Sequence, residues 1–308
     1  MPSYPLLQGK HAVVFGAGGS IGSAVAKAFA SEGAEVFLAG RSEESLQVVA
    51  KEIAETGGRA RPDVIDALDE PAVEAYIQSL AHEAGGIDIV FNATGPRVSE
   101  YANLTPAVDL PADLFMVPVN TALKSNYITA RAAAREMVKQ GTGVIMFLTG
   151  SPARPHLPNV TAIGAAFGAI ENLMRTMAIE LGPAGVRVVC LRTALNPDSR
   201  TSKENAELSA DRMGVPASHE QFAATLAQGT MLQASPTTTD TARAAVLLAS
   251  DSARMMTGTV QNSSAGVVWD YLIVQADEYP TADHARGLSG WPRSRLRFEL
   301  SVHLGPRS

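Results

Sequence analysis

The sequence predicts an α/β fold: a doubly wound parallel sheet with helices on both faces, built as a single domain. Two observations carry this. Apolar runs of strand length alternate with helical patterns through the first two-thirds of the chain, the alternation that produces a helix-covered parallel sheet. At its front stands a glycine cluster, Phe15-Gly16-Ala17-Gly18-Gly19-Ser20-Ile21-Gly22, between a short buried run at 11–15 and an Ala-rich helical stretch. Strand, glycine turn and helix in that order form a phosphate cradle. Glycine lets the backbone approach a pyrophosphate, and the helix N-terminus offers free N–H groups and a positive dipole end. A turn used only for packing is the minor reading, since a second strand, Glu35-Val36-Phe37-Leu38-Ala39, follows the helix.

The elements then follow in order. Strands are expected at 11–15, 35–39, 60–65, 87–91, 143–149 and 186–191, with helices over 20–32, 43–56, 70–84, 119–140 and 160–182. The stretch 196–235 is polar, Ala-rich and helical in places, without a strand. An insertion at that point lies near the strand C-termini, so it is expected to be a substrate lid over a ligand crevice. A helix over 238–250 and sheet character at 257–261 close a domain spanning 1–270. The C-terminal extension 271–308 ends in an alternating run at 296–302, an edge strand that could meet a partner subunit or wrap its own domain.

With 308 residues, 46% hydrophobic and 18% charged, the chain suits one large soluble α/β domain. A net charge of -6 argues against nucleic acid or a membrane surface as the main partner and leaves a small-molecule substrate. The single cysteine, Cys190, excludes a disulfide framework and fits a reducing cytoplasm; inside the apolar run 186–191 it reads as a buried small residue. No stretch is apolar for long enough to span a membrane, and the N-terminus lacks a signal-peptide profile, so a cytoplasmic location is expected. No His/Cys/Asp/Glu cluster has metal-ligand spacing, so no metal is expected.

Between residues 8 and 270 several further motifs stand in a fixed order. The glycine turn is similar to T-G-x-x-x-G-x-G, with Phe15 for Thr and Ser20 for the middle Gly. Asp66-Ala67 is similar to an Asp-Val pair, and 88–95, with Asn92, Ala93, Thr94 and Gly95, to D-x-L-V-N-N-A-G. Asn120, then 178–181, 185–188, 247–251 and Thr257-Gly258 complete the series. Together they resemble the short-chain dehydrogenase/reductase family. The resemblance implies a Rossmann-like fold and hydride transfer with a nicotinamide cofactor held by the glycine turn and by 92–95. It places Asp66 against the adenine and gives Asn120 a supporting role at the catalytic centre. It also implies a homodimer or homotetramer formed through the helices at 119–140 and 160–182.

Cofactor choice can be argued physically. A site for NAD(H) needs a carboxylate after the second strand to bind the ribose 2′-OH. Gly40 stands there, followed by Arg41 and Ser42. A guanidinium beside a hydroxyl suits a 2′-phosphate, which favours NADP(H). The bland alternative is an exposed Arg beside a helix whose N-cap is Ser42.

The catalytic half departs from the family. Its members place a proton-donating tyrosine and, four residues on, a lysine; those positions fall here on Ile163 and Phe167. The family serine position is Gly150, between Thr149 and Ser151, and no Tyr-x-x-x-Lys occurs anywhere in the chain. General acid help is worth roughly 10²–10⁴-fold, so its loss slows hydride transfer without forbidding it. Substitutes to weigh are Ser151, Thr149 and His156, each with a plain hydrogen-bonding or solvent-facing alternative. Arg154 could bind an anionic substrate group or simply face water. Asn120, Lys124 and Tyr127 form a helix stripe that could approach the cofactor or merely pack. Three readings stand open: an NADPH-dependent reductase of a small organic carbonyl, imine or activated alkene with a non-standard proton donor; a non-redox cyclase, isomerase or lyase; and a cofactor-binding pseudoenzyme.

Overall fold

In the computed structural model, residues 5–154, 157–213 and 218–268 are described. Seven parallel strands form one sheet: β1 (His11–Phe15), β2 (Glu35–Gly40), β3 (Arg59–Val64), β4 (Ile89–Asn92), β5 (Gly143–Gly150), β6 (Val186–Thr193) and β7 (Val260–Ser263). Their order is β3-β2-β1-β4-β5-β6-β7, so the winding reverses between β1 and β4. Side chains alternate faithfully across the sheet. Ala12 and Val14 join α1 (Ser20–Ser31), α2 (Glu43–Glu55) and α9 (Thr238–Ala249) on one face. Val13 and Phe15 join α3 (Glu70–Ala84), α5 (Lys124–Gln140) and α6 (Thr161–Leu181) on the other. Both faces are dry, which is why the strands read as apolar runs.

Three boundaries differ from expectation, each for a local reason. The helix expected over 119–140 is two pieces, a π-turn at Val119–Leu123 and then α5, and a short helix, α4 (Ala112–Pro118), runs directly into it. Pro118 has no N–H for the α ladder, and the wider turn follows it directly. β4 starts at Ile89 because the N–H and carbonyl of Ile87 are both taken by the Gln140 amide, at 2.9 Å each. β7 starts at Val260 because Thr257 Oγ1 accepts the Val188 N–H (3.0 Å) and Gly258 turns with φ +66°. The stretch 196–235 holds α7 (Arg200–Met213) and α8 (His219–Gln228). The run at 296–302 lies outside the described residues.

One charged cluster interrupts the apolar face under α6. Arg192, 0% exposed, donates from Nε and Nη2 to the two carboxylate oxygens of Glu171, both at 2.7 Å. Thr149 Oγ1 donates to the same carboxylate at 3.3 Å and lies 3.3 Å from Cys190 Sγ. The bidentate geometry is what makes such burial tolerable. Burial also pushes the Cys190 thiol up to about 12. A thiol-reactive dye should therefore leave Cys190 unmodified at pH 8 until the protein is unfolded, as mass spectrometry would record. Glu171→Leu leaves a guanidinium buried without its carboxylate and should cost about 3–5 kcal/mol of stability in a urea titration. The double replacement Glu171→Leu with Arg192→Met should recover most of that loss.

Candidate functional site

The reversal of winding opens a crevice above the C-terminal ends of β1 and β4. The glycine turn forms its floor on one side. Gly16, at φ +75°, follows β1, and a Cβ there would lie 3.0 Å from the Ala93 carbonyl group beyond β4. Gly22 sits so close to the Gly16 carbonyl oxygen that its Cβ would lie 2.2 Å away. A Cβ on Gly18 would meet the Ser45 side chain of α2 at 2.8 Å. Gly19 precedes α1 with no side-chain cap, and the first turn, with Ser20, Ile21 and Gly22, carries no acidic residue. Its free N–H groups and dipole thus face the crevice uncompensated.

The opposite wall comes from the chain after β4. Asn92 is buried, donates to Thr129 Oγ1 (2.8 Å) and accepts the Thr94 N–H (2.7 Å), which fixes the bend through Ala93. Thr94 Oγ1 is buried beside Gly16 with no hydrogen-bond partner among the described residues, and Gly95 is exposed. An orphaned hydroxyl against a glycine cradle fits a bound dinucleotide. At the β2 end, Arg41 is exposed and makes no ion pair among the described residues. Ser42 caps α2 by accepting the Ser45 N–H at 3.3 Å. Asp66 is exposed, its carboxylate accepting the Leu68 N–H (3.0 Å), while Ala67 is buried.

Beyond β5 the surroundings turn apolar. Ile163 is 8% exposed and clusters with Ala162 and Tyr101, walled by Phe115, Val117 and Phe167. The Phe167 ring lies so near Gly150 that a Cβ there would meet it at 3.0 Å. Ser151 opens a short 3-10 turn and is largely buried, and its hydroxyl has no partner among the described residues. Thr149 is corrected: it is 1% exposed and its hydroxyl is directed to Glu171 and Cys190 inside the core, away from the crevice. The stripe of Asn120, Lys124 and Tyr127 straddles the π-turn. The π-turn breaks its helical register, all three are exposed, and Tyr127 lines an outer groove of about 620 Å³ with Arg131 over its ring. His156 lies outside the described residues.

Helix α7 closes over this edge. Its Arg200 N–H donates to Ser20 Oγ on the glycine turn (3.1 Å). Its Glu204 accepts from the Arg97 guanidinium (3.1 Å) and from the Val98 N–H (3.3 Å), and its Asn205 accepts from Asn103 (2.9 Å). The clamped loop includes Ala102 at φ +48° and Leu104 at φ +64°, left-handed conformations that cost a non-glycine residue about 1–2 kcal/mol each.

A family model described as enoyl-(acyl carrier protein) reductase matches residues 16–267. The chain belongs to the short-chain dehydrogenase/reductase family. An uncharacterised oxidoreductase of Mycobacterium tuberculosis is 31% identical over 267 residues, 86% of this chain and 95% of that protein. A short chain dehydrogenase of Pseudocercospora fijiensis is 33% identical over 202 residues, 65% of this chain; the match spans 62% of that relative's length. Among solved structures, NAD+-bound xylitol dehydrogenase superposes with a TM-score of 0.76 at 26% identity, covering 83% of this chain and 98% of that one. This short-chain dehydrogenase/reductase is thus of an oxidoreductase family with the matching seven-stranded sheet, and no helix among its described residues is long and apolar enough to cross a membrane.

Sequence reasoning missed Tyr101 and the Arg97–Glu204 clamp, whose partners stand 107 residues apart. The one available signal was an isolated tyrosine between Gly95-Pro96 and the next helical pattern. In this short-chain dehydrogenase/reductase, Gly22→Ala should push α1 off the turn. We expect a loss of about 1–3 kcal/mol of stability and no thermal stabilisation by added dinucleotide, both read by differential scanning fluorimetry.

Proposed function

We infer that this chain is an NADP(H)-dependent reductase of a small organic carbonyl, imine or activated alkene, working with a non-standard proton donor. The observation that carries the cofactor reading is Arg41: an exposed guanidinium without an ion-pair partner among the described residues, beside a glycine turn and after a strand that ends in glycine instead of a carboxylate. The solved relative bound to NAD+ shares the fold, but a 2′-phosphate is what an unengaged Arg41 and the Ser42 hydroxyl are equipped to hold. The description of the matching family model, an enoyl reductase, supports an activated alkene within the substrate class.

The dinucleotide, when bound, supplies hydride. The chain's own part is positioning and exclusion of water. The turn at 16–22 would hold the diphosphate, Asp66 the adenine end, and 92–95 the adjoining ribose. Ser151 would donate to the substrate oxygen, and Ile163 and Phe167 would pack against the substrate and keep water out. The same hydrocarbon lining supports a second, non-redox reading, in which the scaffold only folds a substrate for rearrangement. Product formed without any nicotinamide would decide for that reading.

Calorimetry tests the cofactor assignment. NADPH should bind more tightly than NADH, and Arg41→Ala should weaken NADPH by about tenfold to a hundredfold, the worth of a charge-assisted contact. NADH affinity should stay where it was. Equal affinities for both coenzymes in the unaltered protein would overturn the assignment.

A further inference from the structure

Among the described residues the lining at the head of α6 is hydrocarbon, yet a reduced carbonyl or imine must collect a proton. Tyr101 stands beside it. It is 4% exposed and clusters with Ala162 and Ile163, yet its hydroxyl has no hydrogen-bond partner among the described residues. The other described tyrosines are placed elsewhere: Tyr76 donates to Asp63 at 2.9 Å, near β3, and Tyr127 is on the outer face of α5. The loop around Tyr101 is built at a cost. Left-handed Ala102 and Leu104 follow it, and Glu204 and Asn205 of α7 hold it on either side through Arg97, Val98 and Asn103. Strain sustained by its surroundings is the mark of a functional position.

We propose that Tyr101 is the proton donor of this enzyme, a phenol presented from the loop between β4 and α4 instead of from α6. This rests on the reductase reading above. The carbonyl carbon accepts hydride from the dihydronicotinamide, its π pair moves onto oxygen, and that oxygen takes the proton of Tyr101 Oη. The substrate is reduced to an alcohol, the dinucleotide is oxidised, and the phenolate regains a proton from water. Burial pushes the Tyr101 phenol above its ordinary range, and the nearby Glu204 carboxylate pushes it the same way. The group is therefore protonated at neutral pH, which suits donation and makes the reverse, oxidative direction slow.

The test compares the full chain with Tyr101→Phe and with 3-fluorotyrosine at position 101, a substitution that keeps the shape and lowers the phenol pKa. Support takes this form: the unaltered enzyme oxidises NADPH over a carbonyl panel, and Tyr101→Phe loses about 10²–10⁴-fold in kcat with its NADP+ affinity retained. Fluorotyrosine should move the alkaline fall of kcat/KM to lower pH, and its fluorine resonance should shift when NADP+ saturates the site. Turnover by Tyr101→Phe at the original rate, an unmoved alkaline limb, or a resonance indifferent to NADP+ overturns the role of Tyr101 and leaves the reductase reading intact. No NADPH oxidation by the unaltered enzyme over any substrate class removes the reductase reading and the donor with it. If Tyr101→Phe does not fold, the fluorotyrosine protein decides alone.

Discussion

At the carboxyl edge of the sheet, backbone has to touch backbone. The Gly16 carbonyl accepts the Gly19 N–H at 2.9 Å, and the Gly22 Cα closes on the same oxygen from the helix side. That double approach brings the start of α1 down onto the end of β1 and against Ala93 beyond β4. A side chain at either glycine would wedge the turn open, and the helix N-terminus would no longer face the place where the winding reverses. The crevice, the orphaned Thr94 hydroxyl and the docking of α7 on Ser20 all depend on that contact.

The far half of the site reverses the usual disposition of polarity. Charge lies inside and hydrocarbon lies at the mouth. Glu171 and Arg192 tie α6 to the ends of β5 and β6 from within, two residues whose sequence neighbours are largely apolar. With α6 pinned there, its first turns have little freedom, and Ile163 and Phe167 are set against Tyr101 and Gly150. For net stability an apolar pair of matched volume often serves as well, because the two charges must first be taken out of water.

The strands and most helices were legible because each is driven by a local pattern: apolar runs for a sheet covered on both faces, and glycines where a turn demands them. What escaped depends on distant or backbone-level facts. Pro118 announces a break but not the π-turn that absorbs it. Thr149 sits at a strand end, where either outcome is open until Glu171 and Cys190 are seen to engage it. Tyr101 owes its place to two left-handed residues and a clamp from α7, none of which leaves a periodic trace in the sequence.

Ser20 belongs to two structures at once. It opens α1 and also receives the first N–H of α7. Its oxygen accepts that N–H while its own proton stays available, so one side chain ties the head of α7 to the head of α1 without closing the turn to an anion. A methyl in its place would sever that tie and leave this end of α7 to the contacts that Glu204 and Asn205 make with the loop after β4.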